Sequence, residues 1–441
     1  MYSFSPKLRL YSIILIVLGL VLFGIGYAIN SGIDTAQIEQ RLSANNHALE
    51  NATPTHSSQL NGPQDHQAHV DHAMRQVHNE PLSALLTATS LFFGIGACAL
   101  FFYSIQNAAH AGWPVIILRV MEAIATFIPI GGIIMLVIVL LNAGHLGHLY
   151  HWMDPELTDP SSPHFDSILF QKKGFLNIPF FVIRSVIYVG GATFFLWKLK
   201  SLSKKLDQTK AKADYQKLYN WSVGYIVFFG FASAAWALDW WMSIDPHWYS
   251  TLYIWYTMVS CLTSAIGVMI IVSVYLKRKG VLPQFNDNHL HDLGKFLFAT
   301  SMLWTYMWFS QFMLYWYADT PEEVNYFLGR FNYYSPTFLP MLIPNFLLPL
   351  LVLVSSSIKR NYKVVTTMAV IVILGHWVDF FNIVMPGTVG PYWNIGFLEI
   401  GAFLFIIGLF TFTIMFALSK LKLIPTGNPL LHESEIFEYP F

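Results

Sequence analysis

The sequence predicts an all-α polytopic membrane protein of about ten transmembrane helices, and three observations carry that reading. Of 441 residues, 55% are hydrophobic and only 11% are charged, whereas a soluble domain carries roughly a quarter of its residues charged. The apolar residues arrive in blocks of about 20, the length a helix needs to cross a hydrocarbon core of about 30 Å. Barrel strands would be half as long and would alternate in polarity; lipid tolerates no open backbone hydrogen bond, so unalternating blocks of this length are helices.

Ten spans follow, at approximately 8–29, 82–105, 115–141, 176–198, 219–239, 252–275, 293–317, 338–357, 363–383 and 396–418. The first follows Lys7 and Arg9, its apolar core is longer than that of a signal peptide, and Asn30-Ser31-Gly32 reads as a helix exit, so a retained anchor is expected. Residues 31–81 are polar, with His56, His66, His69, His72 and His78, and read as a flexible periplasmic excursion rather than a metal site. Spans 2–5 fill 82–239 and spans 6–9 fill 252–383; they can form two four-helix units, with the first span and 396–418 outside them. Residues 147–177 form a second external loop whose Asp-Pro, Pro-Glu and Ser-Pro steps read as a turn-rich cap. Cys98 and Cys261 fall inside apolar blocks and fit core packing. The 16% aromatic content crowds span ends such as Trp240-Trp241 and Trp304-Tyr306-Trp308, as an interfacial belt requires.

Positive charge orients the spans. Lys200, Lys204, Lys205, Lys210 and Lys212 lie in one loop, Lys277-Arg278-Lys279 in the next of the same parity, then Lys359, Arg360 and Lys363, while residues 240–251 and 384–395 carry no Lys or Arg. Both termini are therefore expected in the cytoplasm. The two long external loops carry few basic residues, which lie mostly on the other side, so neither loop is a nucleic-acid site. Walker A, dinucleotide-binding, c-haem attachment and ferredoxin motifs are missing from the sequence, so no cofactor is expected in this chain and any redox centres belong to partners.

Ionisable groups inside spans cost several kcal/mol unless relieved, which makes each a functional candidate. Arg119 and Glu122, three apart in span 3, share one helix face and read either as a structural ion pair or as a proton-entry group. His145 and His148 share a face if span 3 continues as helix, and fit a proton relay, a quinone contact, a haem ligand or a structural role. Span 5 ends in Asp239, with Asp245 and His247 just beyond. His376 and Asp379 lie three apart in span 9, Glu399 opens span 10, and Arg184 in span 4 and Asp319 at the end of span 7 lie toward the same side. Glu122, His145, His148, Asp239, His376 and Asp379 are thus the candidate proton path, and Arg119, Arg184, Asp319 and Glu399 the candidate structural or gating charges.

The stretches Gly144 to Glu156, Asp239-Trp240-Trp241-Met242-Ser243-Ile244-Asp245-Pro246-His247-Trp248 and His376-Trp377-Val378-Asp379 resemble the NrfD/PsrC-like integral membrane subunits. The likeness is nearest to the smaller of the two such subunits of bacterial alternative complex III and runs from Leu8 to Leu423. It implies a ten-helix subunit of the bacterial inner membrane with two four-helix bundles. It further implies a complex that oxidises menaquinol and passes electrons through partner subunits carrying iron-sulfur clusters and haem c. The implied partners are a second NrfD-like membrane subunit, an iron-sulfur protein, multihaem and monohaem cytochromes c, a terminal oxidase in some assemblies, and lipid. On that likeness Glu122 falls in a cytoplasmic half-channel, and His148, Asp239 and Asp379 nearer the periplasm. An autonomous proton-coupled transporter or channel, or a pure scaffold, are the alternatives that the residues alone leave open.

Overall fold

The computed structural model describes residues 2–39, 63–163 and 165–438, and these are helices and connecting turns with no strand among them. In chain order the main helices are α1 (Pro6–Ser31), α2 (Pro63–His78), α3 (Glu80–Ala108), α4 (Leu118–Ala125), α5 (Ile128–Ala143), α6 (Ile178–Thr209) and α7 (Lys212–Trp236). They continue as α8 (Thr251–Arg278), α9 (Asp287–Ala318), α10 (Pro321–Tyr333), α11 (Leu348–Leu353), α12 (Tyr362–Thr388), α13 (Phe397–Lys420) and α14 (Leu431–Glu435).

Among the described residues nine helical segments are long and apolar enough to cross a membrane, and they coincide with nine of the ten expected spans. The other expected span, 293–317, lies in α9, which is 32 residues long. It falls short in apolarity, not length, because Thr300, Ser301, Thr305, Ser310 and Gln311 interrupt its Trp and Tyr positions. Two spans are not continuous helices. The third breaks between α4 and α5 ahead of Pro129, and the eighth, Ser335–Leu353, is divided by Pro340, Pro344 and Pro349 into short pieces around a π-helical turn at Ile343–Leu347. Proline removes a backbone donor and clashes with the preceding turn, which is what fragments both.

α3 is the central post. It packs on α4, α5 and α7 on one side and on α8 and α12 on the other, and it is buried along its length. α5 and α7 flank α6, while α8, α9, α12 and the broken eighth span pack together beside them. α1 is mostly exposed and clasps α13. The contact is backbone against backbone: a Cβ on Gly19 would stand 2.3 Å from the Phe405 amide nitrogen, and one on Gly401 would stand 2.5 Å from that of Phe23. Small residues at a helix seam permit such approach in lipid. Gly401→Val is therefore expected to lower stability by about 1–3 kcal/mol by overpacking, read as a fall in the thermal midpoint in detergent. Gly24→Val, where nothing lies within 4 Å of the added Cβ, should leave it unchanged.

Residues 63–78, inside the stretch expected to be a flexible excursion, form α2. Ala73 and Val77 are buried against Ile38, with Met74 and Tyr392 beside them, an apolar stripe at helical spacing that the surrounding polar residues conceal. His56 and the side chains of His66 and His69 lie outside the described residues. At one end of the bundle, the lysine-rich face, Tyr2 meets the Tyr275 hydroxyl at 3.3 Å, and the Ser434 hydroxyl donates to the Trp113 carbonyl at 2.7 Å. At the opposite face Asn79 donates to the His148 carbonyl at 2.9 Å and the Thr388 carbonyl at 3.2 Å. Cys98 and Cys261 are buried and free.

Candidate functional site

Two fully buried aspartates organise the interior. The first stands where α7 widens into a π-helical turn, Ala237–Trp241. Such a turn inserts one residue into the helix and is a recurrent feature of functional sites; here it carries Asp239. Arg184 of α6 grips its carboxylate with two parallel bonds, Nε to Oδ2 and Nη2 to Oδ1, both 2.7 Å. The Tyr188 hydroxyl, one turn on, donates to Oδ2 at 2.7 Å. Arg184 also donates Nη1 to the Phe175 carbonyl at 3.1 Å, and its guanidinium lies 4.0 and 4.1 Å from the Phe175 and Phe180 ring centres. Planar fork, carboxylate and aromatic faces each suit the guanidinium, and the pair is balanced in charge. Beside it opens a cavity of about 450 Å³ with a mainly apolar wall of Phe175, Leu176, Leu238, Met242, Trp248 and Tyr249.

The second aspartate, Asp379 of α12, has no Lys or Arg bonded to it among the described residues; its ionisable neighbour is His376, whose Nδ1 lies 3.4 Å from Oδ2. It accepts hydrogen bonds from the Tyr256 and Ser260 hydroxyls of α8 and from Trp304 Nε1 of α9 at 3.0 Å. Ser260 Oγ lies 2.9 Å from His376 Nδ1. Because Ser260 gives its proton to Asp379, its oxygen is left to accept, so His376 carries hydrogen on Nδ1 and a lone pair on Nε2 in the neutral ring. Nε2 is buried without a partner. The order His376, Ser260, Asp379 is one that can pass a proton: one taken at Nε2 would release the one on Nδ1 to Ser260, which would hand its own to Asp379. Asn345 of the Ile343–Leu347 turn abuts Gly375, the residue before His376, and both polar atoms of its amide are buried without partners.

The two centres share a sequence frame. Leu238-Asp239-Trp240-Trp241, four residues, Pro246 is matched by Val378-Asp379-Phe380-Phe381, four residues, Pro386, and each aspartate accepts from a tyrosine on a neighbouring helix. That repetition is the signal by which the halves can be compared. The partners Tyr188, Tyr256, Ser260 and Trp304 carry no such mark, since hydroxyl and indole groups in spans are common and only packing selects among them.

Toward the lysine-rich face, Glu122 and Arg119 are buried and joined at 2.7 Å. Arg119 also bonds Asp207 at 2.5 Å and the Ser203 carbonyl at 3.3 Å, so one guanidinium serves two carboxylates. Asp207, masked in sequence by its run of lysines, also accepts from the Gly427 amide at 3.0 Å, which ties the C-terminal segment to this centre. Glu122 Oε1 and the Tyr103 hydroxyl are buried neighbours, neither of them in a hydrogen bond of full geometry.

His145 and His148 are placed differently from the helix-face expectation. α5 ends at Ala143, Gly144 caps it, and His145 takes a left-handed φ of 57°, so the chain turns away and neither histidine joins the buried centres. Both instead line an outer cavity of about 540 Å³ with His72, His151, His247 and Arg75. Asp319 is exposed, capping α9 in the left-handed region, apart from these centres. Glu399 is buried at the start of α13, beside Glu80. Among the described residues no group of three or more His, Cys, Asp or Glu is placed to hold a metal ion.

Burial, with Arg75 and His145, pushes the His148 imidazole below its ordinary value against the pull of Asp154, and burial does the same to His151. An imidazole lowered in the folded state takes its proton more readily when the cap opens, so the cap loses stability as pH falls through the ordinary histidine value. Amide exchange across residues 145–156, corrected for intrinsic rate, should be faster at about pH 5.5 than at about pH 7.5, and His148→Gln should reduce that difference. No protein-family model and no curated protein matches the chain.

Proposed function

We propose that the chain is a membrane subunit of a quinol-oxidising electron-transfer complex of the bacterial inner membrane, where it moves protons through its interior and supports assembly. In this reading it has ten spans and both termini in the cytoplasm. The observation that carries it is the His376, Ser260, Asp379 series: three fully buried groups in hydrogen-bond order, with one nitrogen left open to receive a proton. A structural helix bundle has no need of such an arrangement in lipid, where each buried polar group is a cost. The buried Glu122 carboxylate, beside the Tyr103 hydroxyl, provides a second acceptor nearer the lysine-rich face. The apolar cavity beside Arg184 and Asp239 has the size and aromatic wall that suit the ring or tail of a quinol. Menaquinol is the substrate suggested by the NrfD/PsrC-like resemblance, and the iron-sulfur and c-haem groups that take its electrons belong to partner subunits.

The test is purification of the tagged chain from native membranes in mild detergent, with identification of stoichiometric partners. Recovery with a multihaem cytochrome, an iron-sulfur protein and a second ten-span protein is expected. Recovery of the chain alone, stable and monodisperse, would sink the complex-subunit reading in favour of an autonomous proton-coupled transporter.

A further inference from the structure

A further acidic site lies apart from the two aspartate centres and from Glu122, at the end of the bundle opposite the lysines. Three helices meet there. Glu80 occupies the first turn of α3, and Glu399 the first turn of α13, where its Oε2 accepts from the Gly396 amide at 2.9 Å. Asn30, in the last turn of α1, donates Nδ2 to Glu80 Oε2 at 3.0 Å and to the Val77 carbonyl at 2.9 Å, and Asn394 donates Nδ2 to Glu80 Oε1 at 3.0 Å. The Glu399 and Glu80 side chains line one cavity and interact there. Glu399 is 2% exposed, and its Oε1 is buried with no donor assigned to it. Asn30, Glu80, Asn394 and Glu399 line a cavity of about 300 Å³ together with Gly26 and Ile33.

Proton counting decides what this site holds. An ionised carboxylate only accepts, so two interacting carboxyls buried in one cavity favour holding a proton between them. Glu80 already receives a donor on each oxygen, which suits the ionised partner. Glu399 Oε1 has none, and becomes satisfied if it carries hydrogen and donates to Glu80. The positive ends of two helices, α3 and α13, face the single negative charge that remains. We propose that Glu80 and Glu399 form a proton-binding pair that stores one proton at neutral pH in a cavity shared by α1, α3 and α13. The assignment is independent of the electron-transfer reading, since it concerns the protonation of this chain alone.

Infrared difference spectroscopy on the purified full-length chain in sodium-free buffer at neutral pH tests it, comparing the wild type with Glu399→Gln and Glu80→Gln, in light and heavy water. The carboxamide is close in size and supplies its own donor to the remaining carboxylate. Each single variant is expected to lose the same deuteration-sensitive carboxylic-acid carbonyl band. Loss of no band, or of a different band in each variant, overturns the shared proton. A band that sodium removes from the wild type also overturns it, by making the site a cation site. Alkaline titration of the wild-type protein, which needs no variant to fold, should remove the band in a single one-proton step, and a band persisting unchanged or lost in two steps counts against the pair.

Discussion

Asp239→Ala should cost about 3–5 kcal/mol of stability, because it strands a buried guanidinium rather than deleting a contact. Arg184 packs against two phenyl rings with its fork aimed at Asp239, so without that carboxylate its charge has no compensation in lipid. A loss of that size is a large fraction of the roughly 5–15 kcal/mol that holds a typical folded protein; the expected result is poor recovery and early thermal loss in detergent. Arg184→Met combined with Asp239→Leu removes both charges and should restore most of the lost stability, since an apolar pair of similar volume replaces the ion pair without an orphan. The residual deficit would belong to the Tyr188 hydroxyl, which loses its acceptor, and Tyr188→Phe added to the pair should recover it. Equal stability of Asp239→Ala and wild type, or strict additivity of the single variants, would mean that the pair is not coupled.

The same contrast between charge and context explains what the sequence disclosed. Lipid forces helices of known length, so nine spans could be bounded from hydropathy alone, and Arg119 with Glu122 could be paired because their partners sit on the same helix face. Arg184 and Asp239 were recognisable one by one as expensive residues, but their bidentate geometry depends on a π-helical turn that no local pattern announces. Asp207 was hidden for the opposite reason: in a lysine-rich loop an acid looks solvated, and only the fold turns it inward to Arg119. His145 and His148 would share a face only if helix ran past Ala143, and Gly144 with a left-handed His145 ends it there. α2 was missed because its apolar stripe, Val70, Ala73 and Val77, is only three residues long in a polar stretch. The broken eighth span kept its apolar composition while its prolines cut it into pieces, so composition located it and proline chemistry reshaped it.

His376→Gln is expected to lower quinol-driven proton movement at least about tenfold in the reconstituted complex, the scale of a lost general acid-base group, while leaving assembly intact. Glutamine can still reach the Ser260 hydroxyl, but it cannot accept a proton at one atom and release another, so the relay is interrupted with little change in volume. Ser260→Ala should have a similar effect by removing the middle member, and Ser260→Thr, which keeps the hydroxyl, should retain most of the transfer. Tyr256→Phe offers the discriminating comparison. It removes a donor to Asp379 without breaking the series, so a purely structural role for the cluster would make it as damaging as His376→Gln, whereas a relay makes it much milder. Asp379→Asn should block transfer as well, but it also puts an amide donor among Tyr256, Ser260 and Trp304, all donors themselves, at about 1–3 kcal/mol. Stability and proton movement must therefore be read on the same samples. Full proton movement in both His376→Gln and Ser260→Ala would remove the relay from the mechanism and leave the cluster as packing.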